Sequence, residues 1–225
     1  MILVTGASRG IGLGIANRFN SLGFDVVGLA RTPVDVAFPT FQVDVTNDEE
    51  VRQVALDFRK AKTFPTVVIN VAGIASMNLA LMTPASKARA VVDTNLLGTM
   101  YVCQAFAPLI ARAGGGSIIN FSSIAVALGL SGESVYAASK AGVETYTRVL
   151  ARELAGMNIR ANCIAPGPID TELLRGVSDG QIGDIVKQQI LPTRFTVDDI
   201  CDVTEALIDR RLSSISGAVL HVGGV

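Results

Sequence analysis

Short apolar runs rich in β-branched residues alternate along this chain with longer stretches whose apolar positions recur every three or four residues. Residues Ile2–Thr5, Asp25–Ala30, Thr40–Val43, Thr66–Asn70, Ser117–Phe121, Asn158–Ile164 and Ala218–Val222 read as strands. Between them the pattern predicts helices over Gly10–Ser21, Asn47–Lys60, Ser86–Ala111, Ser134 to about Gly156, and Val197–Arg210. A Pro/Gly loop after Ile164 leads into a helical region of less regular pattern. This alternation predicts an α/β fold, a Rossmann-type doubly wound parallel sheet of about seven strands with helices on both faces. No repeat, low-complexity tract or linker interrupts it, so one domain over 1–225 is expected. One connection is unusual. Only Arg31 to Pro39 separate strands two and three, with Pro33 and Pro39 inside, where a parallel crossover takes about a dozen residues or more. The usual helix is expected to be cut there to a loop or a single turn.

Composition narrows the partners. Hydrophobic residues are 49% and charged residues 17%, which excludes a disordered chain. A formal net charge of −1 without a Lys/Arg block argues against nucleic acid or an anionic membrane as partner. The mean hydropathy of +0.45 raises the question of a membrane span. The best candidate, residues 66–82, is interrupted by Asn70, Gly73, Ser76 and Asn78 and falls short of about 20 apolar residues. The opening MILVTG leaves no room for a signal peptide, so a soluble cytoplasmic chain is expected. Cys103, Cys163 and Cys201 lack a CxxC spacing and His221 is the only histidine, which points to reduced thiols and no metal site.

The first motif with chemistry is Thr5-Gly-Ala-Ser-Arg-Gly-Ile-Gly12, between the first strand and the first helix. Glycines at such a turn let the backbone approach a phosphate, and the helix start offers free N–H groups and a positive dipole. Their spacing, Gly6, Gly10 and Gly12, differs from GxGxxG. Arg31 directly follows strand two and Arg9 lies in the glycine loop, with no carboxylate beside them; two guanidiniums suit a 2′-phosphate and favour NADP(H) over NAD. Solvated surface arginines are the plain alternative. Asp44, after strand three, is read either as an adenine acceptor or as a cap for the helix from Asn47. Asn70-Val-Ala-Gly73 ends strand four with small residues that would let a cofactor lie close. Ser122-Ser123 follows strand five, and Asn95 is read as a bend that holds water or as a satisfied core amide.

The most telling stretch is Ser134-Val-Tyr-Ala-Ala-Ser-Lys-Ala-Gly142. On a helix Tyr136 and Lys140 project from one face a turn apart. A phenol with pKa near 10 is a poor acid or base at neutral pH, and a neighbouring ammonium favours its phenolate.

At these residues the chain resembles the short-chain dehydrogenase/reductase family over nearly its whole length. The shared features are the TGxxxGxG loop (Thr5 to Gly12), NxAG (Asn70 to Gly73), Asn95, Ser123, Tyr136-x-x-x-Lys140 and Pro166-Gly-x-x-x-Thr171. TGASRGIG, YAASKAG and SISGAVLHVGG are most similar to the 3-oxoacyl-acyl-carrier-protein reductase branch. The resemblance implies that Tyr136 is the catalytic acid/base and that Ser123 orients the carbonyl. Lys140 would hold the nicotinamide ribose and lower the Tyr136 pKa, Asn95 would anchor a relay water, and Ile169 and Thr171 would fix the carboxamide. The implied cofactor set is Gly6, Ser8, Arg9, Gly10, Ile11, Gly12, Arg31, Asp44, Val45, Asn70, Ala72, Gly73, Tyr136, Lys140, Pro166, Gly167, Ile169 and Thr171. The chain departs from the family in Val71 of NVAG, in VGG where DGG is frequent, and in the short loop after Arg31.

The expected activity is NADP(H)-dependent hydride transfer between nicotinamide and a carbonyl or secondary alcohol, with a 3-oxoacyl thioester as one substrate. Sugars, steroids and small diketones stay open, because the expected lid from Glu172 to Phe195 does not separate them. Arg175 and Lys187 there read as contacts for an anionic carrier or as solvated charges. A catalytically silent NADP-binding scaffold on the same fold is the rival from another class. A sugar-nucleotide epimerase would need TGxxGxxG and a longer chain. Family likeness assigns the outer faces of Ser86–Ala111 and Val135–Gly156 to a dimer or homotetramer.

Overall fold

The computed structural model describes residues 1–32, 34–175 and 177–225. Seven strands form one parallel sheet: β1 (Ile2–Thr5), β2 (Val26–Ala30), β3 (Thr40–Gln42), β4 (Val67–Asn70), β5 (Gly116–Phe121), β6 (Ile159–Ala165) and β7 (Val219–His221). Their spatial order is β3-β2-β1-β4-β5-β6-β7, so the chain reverses direction beside β1 and opens a crevice at the strand carboxyl ends. The helices are α1 (Gly10–Ser21), α2 (Asp48–Lys60), α3 (Ala85–Val92), α4 (Gly98–Arg112), α5 (Ala125–Leu128), α6 (Ser134–Leu154), α7 (Asp179–Lys187) and α8 (Val197–Ile208).

Strand alternation builds two cores. Leu3, Val68 and Ile118 face α2, α4 and α6, whereas Ile2, Val4, Val67, Ile69 and Ile119 face α1 and α8. Both layers are apolar, which is why the strands read as continuous hydrophobic runs. No helix among the described residues is long and apolar enough to cross a membrane.

Two expectations are refined. The connection from β2 to β3 carries no helix among its described residues (Pro33 lies outside them), and Phe38 plugs the α1 face in its place. The helix expected over Ser86–Ala111 is α3 and α4 joined by a wide π turn at Asp93–Leu97. The extra residue in such a turn frees backbone geometry at one point, and Asn95 occupies that point.

The segment expected as a lid holds a 3₁₀ turn at Glu172–Leu174 and then α7, which opens on a capping box between Ser178 and Gln181. Gly176 lies outside the described residues. The VGG ending is held through its backbone: Leu191 N donates to Gly223 O at 2.8 Å.

Candidate functional site

Thr5, at the end of β1, starts the site. Its buried hydroxyl accepts from the amides of Val71 and Ala72, each at 3.1 Å, and so locks the end of β4 beside the glycine turn. Gly12 then lets α1 begin in contact with that turn, since a Cβ there would land on the Gly6 carbonyl. The first turn of α1 has no side-chain cap and no acidic residue. By contrast α2, α7 and α8 are capped by Asn47, Ser178 and Thr196. Uncapped amides and the positive helix end suit a phosphate, so the residues present fit a dinucleotide.

A cleft of about 120 Å³ runs from here along the strand ends. Ile11, Gly73, Ser123, Tyr136, Lys140, Pro166, Gly167, Ile169 and Thr171 line it, so one wall carries the serine, the phenol and the lysine together. Lys140 Nζ lies 5.9 Å from the centre of the Tyr136 ring and donates to Phe121 O at 2.8 Å. Ser123 Oγ accepts from Ala125 N at 3.2 Å, which fixes the serine at the start of α5. Its neighbour Ser122 turns away and donates to the Glu144 carboxylate at 2.7 Å, pinning α6 to the end of β5.

Electrostatics in the chain by itself differ from the expected lowering of the phenol. Burial pushes Tyr136 up to about 12; the Ser123 hydroxyl pulls it back and the charge on Glu133 adds to the rise. Burial likewise pushes Lys140 down to about 8. Desolvation is the largest influence on both groups, because both side chains are buried, and the amine is turned to a carbonyl.

Asn95 is fully buried behind the wall. It accepts from Ile74 N at 2.8 Å and donates to Ile74 O at 3.0 Å and to Ser139 Oγ at 3.1 Å. Both donor hydrogens and one acceptor site are therefore spent on protein. Ser139, which sequence reasoning passed over, donates to Tyr136 O at 2.7 Å and joins the π turn to the helix carrying Tyr136. Its only sequence signal was a hydroxyl on the same stretch of small residues.

In the chain by itself, other expected cofactor residues engage protein partners or solvent. The Asn70 side chain points into the sheet and donates to Asn120 Oδ1 at 2.9 Å, because the strand pleat turns it from the cleft. Val45 is buried against Gly98. Asp44 closes its own turn by accepting from Thr46 N at 3.0 Å, while Asn47 caps α2, so the reading of the Asp44 carboxylate as the α2 cap fails. Arg31 is exposed at the end of β2 and Ser8 half-buried in the glycine turn. Arg9 pairs with Glu172 at 3.0 Å, with both side chains about half exposed. Gly10 lies against Thr171, which brings the glycine turn and the loop after β6 into contact. Lys187 pairs with Asp184 at 2.9 Å, whereas Arg175 is exposed.

A parallel sheet in this order, with an uncapped helix start and a phenol, a lysine and a serine in the crevice, defines a dinucleotide-binding α/β protein of the oxidoreductase type. The family model described as Enoyl-(Acyl carrier protein) reductase matches residues 6–224. A 3-oxoacyl-acyl-carrier-protein reductase of Chlamydia pneumoniae is 32% identical over 99% of this chain and 95% of its own length. The Pseudomonas aeruginosa reductase of the same name is 33% identical over the same shares. Among solved structures, Thermoplasma acidophilum aldohexose dehydrogenase superposes with a TM-score of 0.90 at 28% identity, covering 99% of this chain and 92% of that one. A 4-hydroxyisoleucine dehydrogenase in complex with NADH does so with a TM-score of 0.90 at 27% identity, covering 99% and 97%. The chain belongs to the short-chain dehydrogenase/reductase family of nicotinamide-dependent oxidoreductases.

Proposed function

We propose that residues 1–225 act as one NADP(H)-dependent domain that reduces a ketone or oxidises the matching secondary alcohol. The observation that carries this reading is the meeting of Ser123, Tyr136 and Lys140 on one cleft wall that continues to Ile11 at the uncapped start of α1. The nicotinamide, when bound, supplies or accepts the hydride. Tyr136 gives its phenolic proton to the carbonyl oxygen during reduction and takes it back during oxidation. Ser123 donates a hydrogen bond to the same oxygen as negative charge grows on it. Lys140 holds the nicotinamide ribose and stabilises the phenolate left behind. Asn95 acts as a positioning residue through Ile74 and Ser139. Ile169 and Thr171 hold the carboxamide.

Arg31 and Arg9 support NADP(H), with Arg9 shared between the phosphate and Glu172. The names of the sequence relatives support a 3-oxoacyl thioester as substrate, and those of two structural neighbours support a sugar or a hydroxylated amino acid. A screen of NADPH oxidation over acetoacetyl thioesters, sugars, steroids and diketones, run beside NADH, tests the reading. Turnover with NADPH preferred by about tenfold or more is expected. Cofactor binding with no turnover across the panel would support a silent scaffold, and a strong NADH preference would overturn the argument from Arg9 and Arg31.

A further inference from the structure

Glu133 and Lys140 are the two charged side chains that line the cleft among the described residues. The reaction uses Lys140 and has no use for Glu133. The backbone that carries this carboxylate is nevertheless held firmly. Glu133 N donates to Leu130 O at 3.2 Å, closing a turn that needs Gly132 at φ +87°. Asn78 N donates to Gly132 O at 2.8 Å and ties that turn to the loop after β4.

Glu133 occupies the N-cap position of α6, and its carbonyl accepts from Ala137 N at 2.7 Å. Ser, Asp or Asn at such a position would fold back onto the first amides. The Glu133 side chain makes no capping bond and faces the cleft, one turn before Tyr136. Among the described residues no side chain pairs with it. Burial pushes its carboxyl up, and no hydrogen bond or positive charge offsets that. A carboxylate partly removed from water without a partner is costly. Leu130, Met77 and Ile185 around the cleft offer it no donor.

We propose that Glu133 selects the substrate: the cleft takes carbonyl compounds that carry a hydroxyl or ammonium group next to the reacting carbonyl, and Glu133 accepts the hydrogen bond from that group. A plain alkyl neighbour would cover the carboxylate and deepen its desolvation, whereas a donor there satisfies it. The inference rests on the carbonyl-reductase reading and narrows its substrate.

The test compares 3-hydroxybutan-2-one, 3-aminobutan-2-one and 3-methylbutan-2-one, which differ only in the group beside the carbonyl, with acetoacetyl N-acetylcysteamine as a fourth substrate. Values of kcat and KM are measured separately for the wild type, E133Q and E133L. The wild type is expected to favour the hydroxy and amino ketones over the methyl ketone by about 10- to 100-fold in kcat/KM. E133L should reverse that order, losing the donor-bearing ketones and gaining the methyl ketone. E133Q, which keeps an acceptor but no charge, should lose the amino ketone more than the hydroxy ketone.

Equal handling of the three ketones by the wild type would overturn the inference, as would an equal loss on all of them in E133L, which would mark a support for α6. Preference for the thioester over the hydroxy ketone, unmoved in E133L, would overturn it too. Turnover without discrimination defeats this inference alone. Absence of turnover on all four substrates defeats the reductase reading with it.

Discussion

Lys140 meets two demands that oppose each other. Its aliphatic stem and amine are buried beside Tyr136, where the proposed chemistry needs a positive charge, yet burial lowers its pKa from 10.5 to about 8. That shift corresponds to roughly 3 kcal/mol of stability withheld at neutral pH. Between about pH 8 and 10.5 the unfolded chain binds the extra proton, so this contribution makes stability rise with pH across that window. Replacing Lys140 by Met removes the cost but leaves Phe121 O without its donor, a loss of about 1–2 kcal/mol. Lys140→Met is therefore expected to raise Tm at pH 7 by about 3–6 °C while lowering kcat/KM, and the gain should shrink above pH 8. Thermal melts at pH 7 and pH 9.5 check this. The Tyr136 and Lys140 pair was legible in the sequence because both residues lie on one helix. Ser139 was not, since its partner Asn95 is 44 positions away in the chain. Glu133 was passed over for a similar reason, because only the turn at Gly132 aims it at the cleft.

At the scale of elements, the strands and the glycine turn could be read because burial on both faces leaves an unbroken apolar run. The π turn could not. A single residue of extra winding keeps the apolar stripe almost in register, so the periodicity of Ser86–Ala111 passes through Asp93–Leu97 without a break. The turn is held from outside, by the bonds from Asn95 to Ile74 and Ser139. Asn95→Ala should cost about 2–3 kcal/mol in urea unfolding and lower kcat more than it raises the cofactor KM. Equal stability in the variant would contradict that account. Gly12→Ala belongs to the same scale. Its methyl meets the backbone carbonyl of Gly6, which cannot swing aside as a side chain could. Loss of NADPH binding by about tenfold or more is expected, measured by fluorescence titration.

For the whole molecule, the crevice draws residues from α1, from the segments that follow β4, β5 and β6, and from α6 and α7, and the dinucleotide would bridge several of these elements at once. Binding to the folded state alone should then stabilise the chain by about 2.7 kcal/mol at one hundred times Kd, a rise in Tm of about 5–10 °C. NADPH should give a larger rise than NADH at equal concentration if Arg31 meets the 2′-phosphate, and Arg31→Ala should remove the difference. The central claim is that the Tyr136 hydroxyl moves the proton at the carbonyl oxygen. Its most direct measurement is kcat for Tyr136→Phe at saturating NADPH, with an accepted ketone and with NADPH affinity checked by titration. A fall of about 10²- to 10⁴-fold with affinity retained is the predicted result. Turnover within about twofold of the wild type would contradict it.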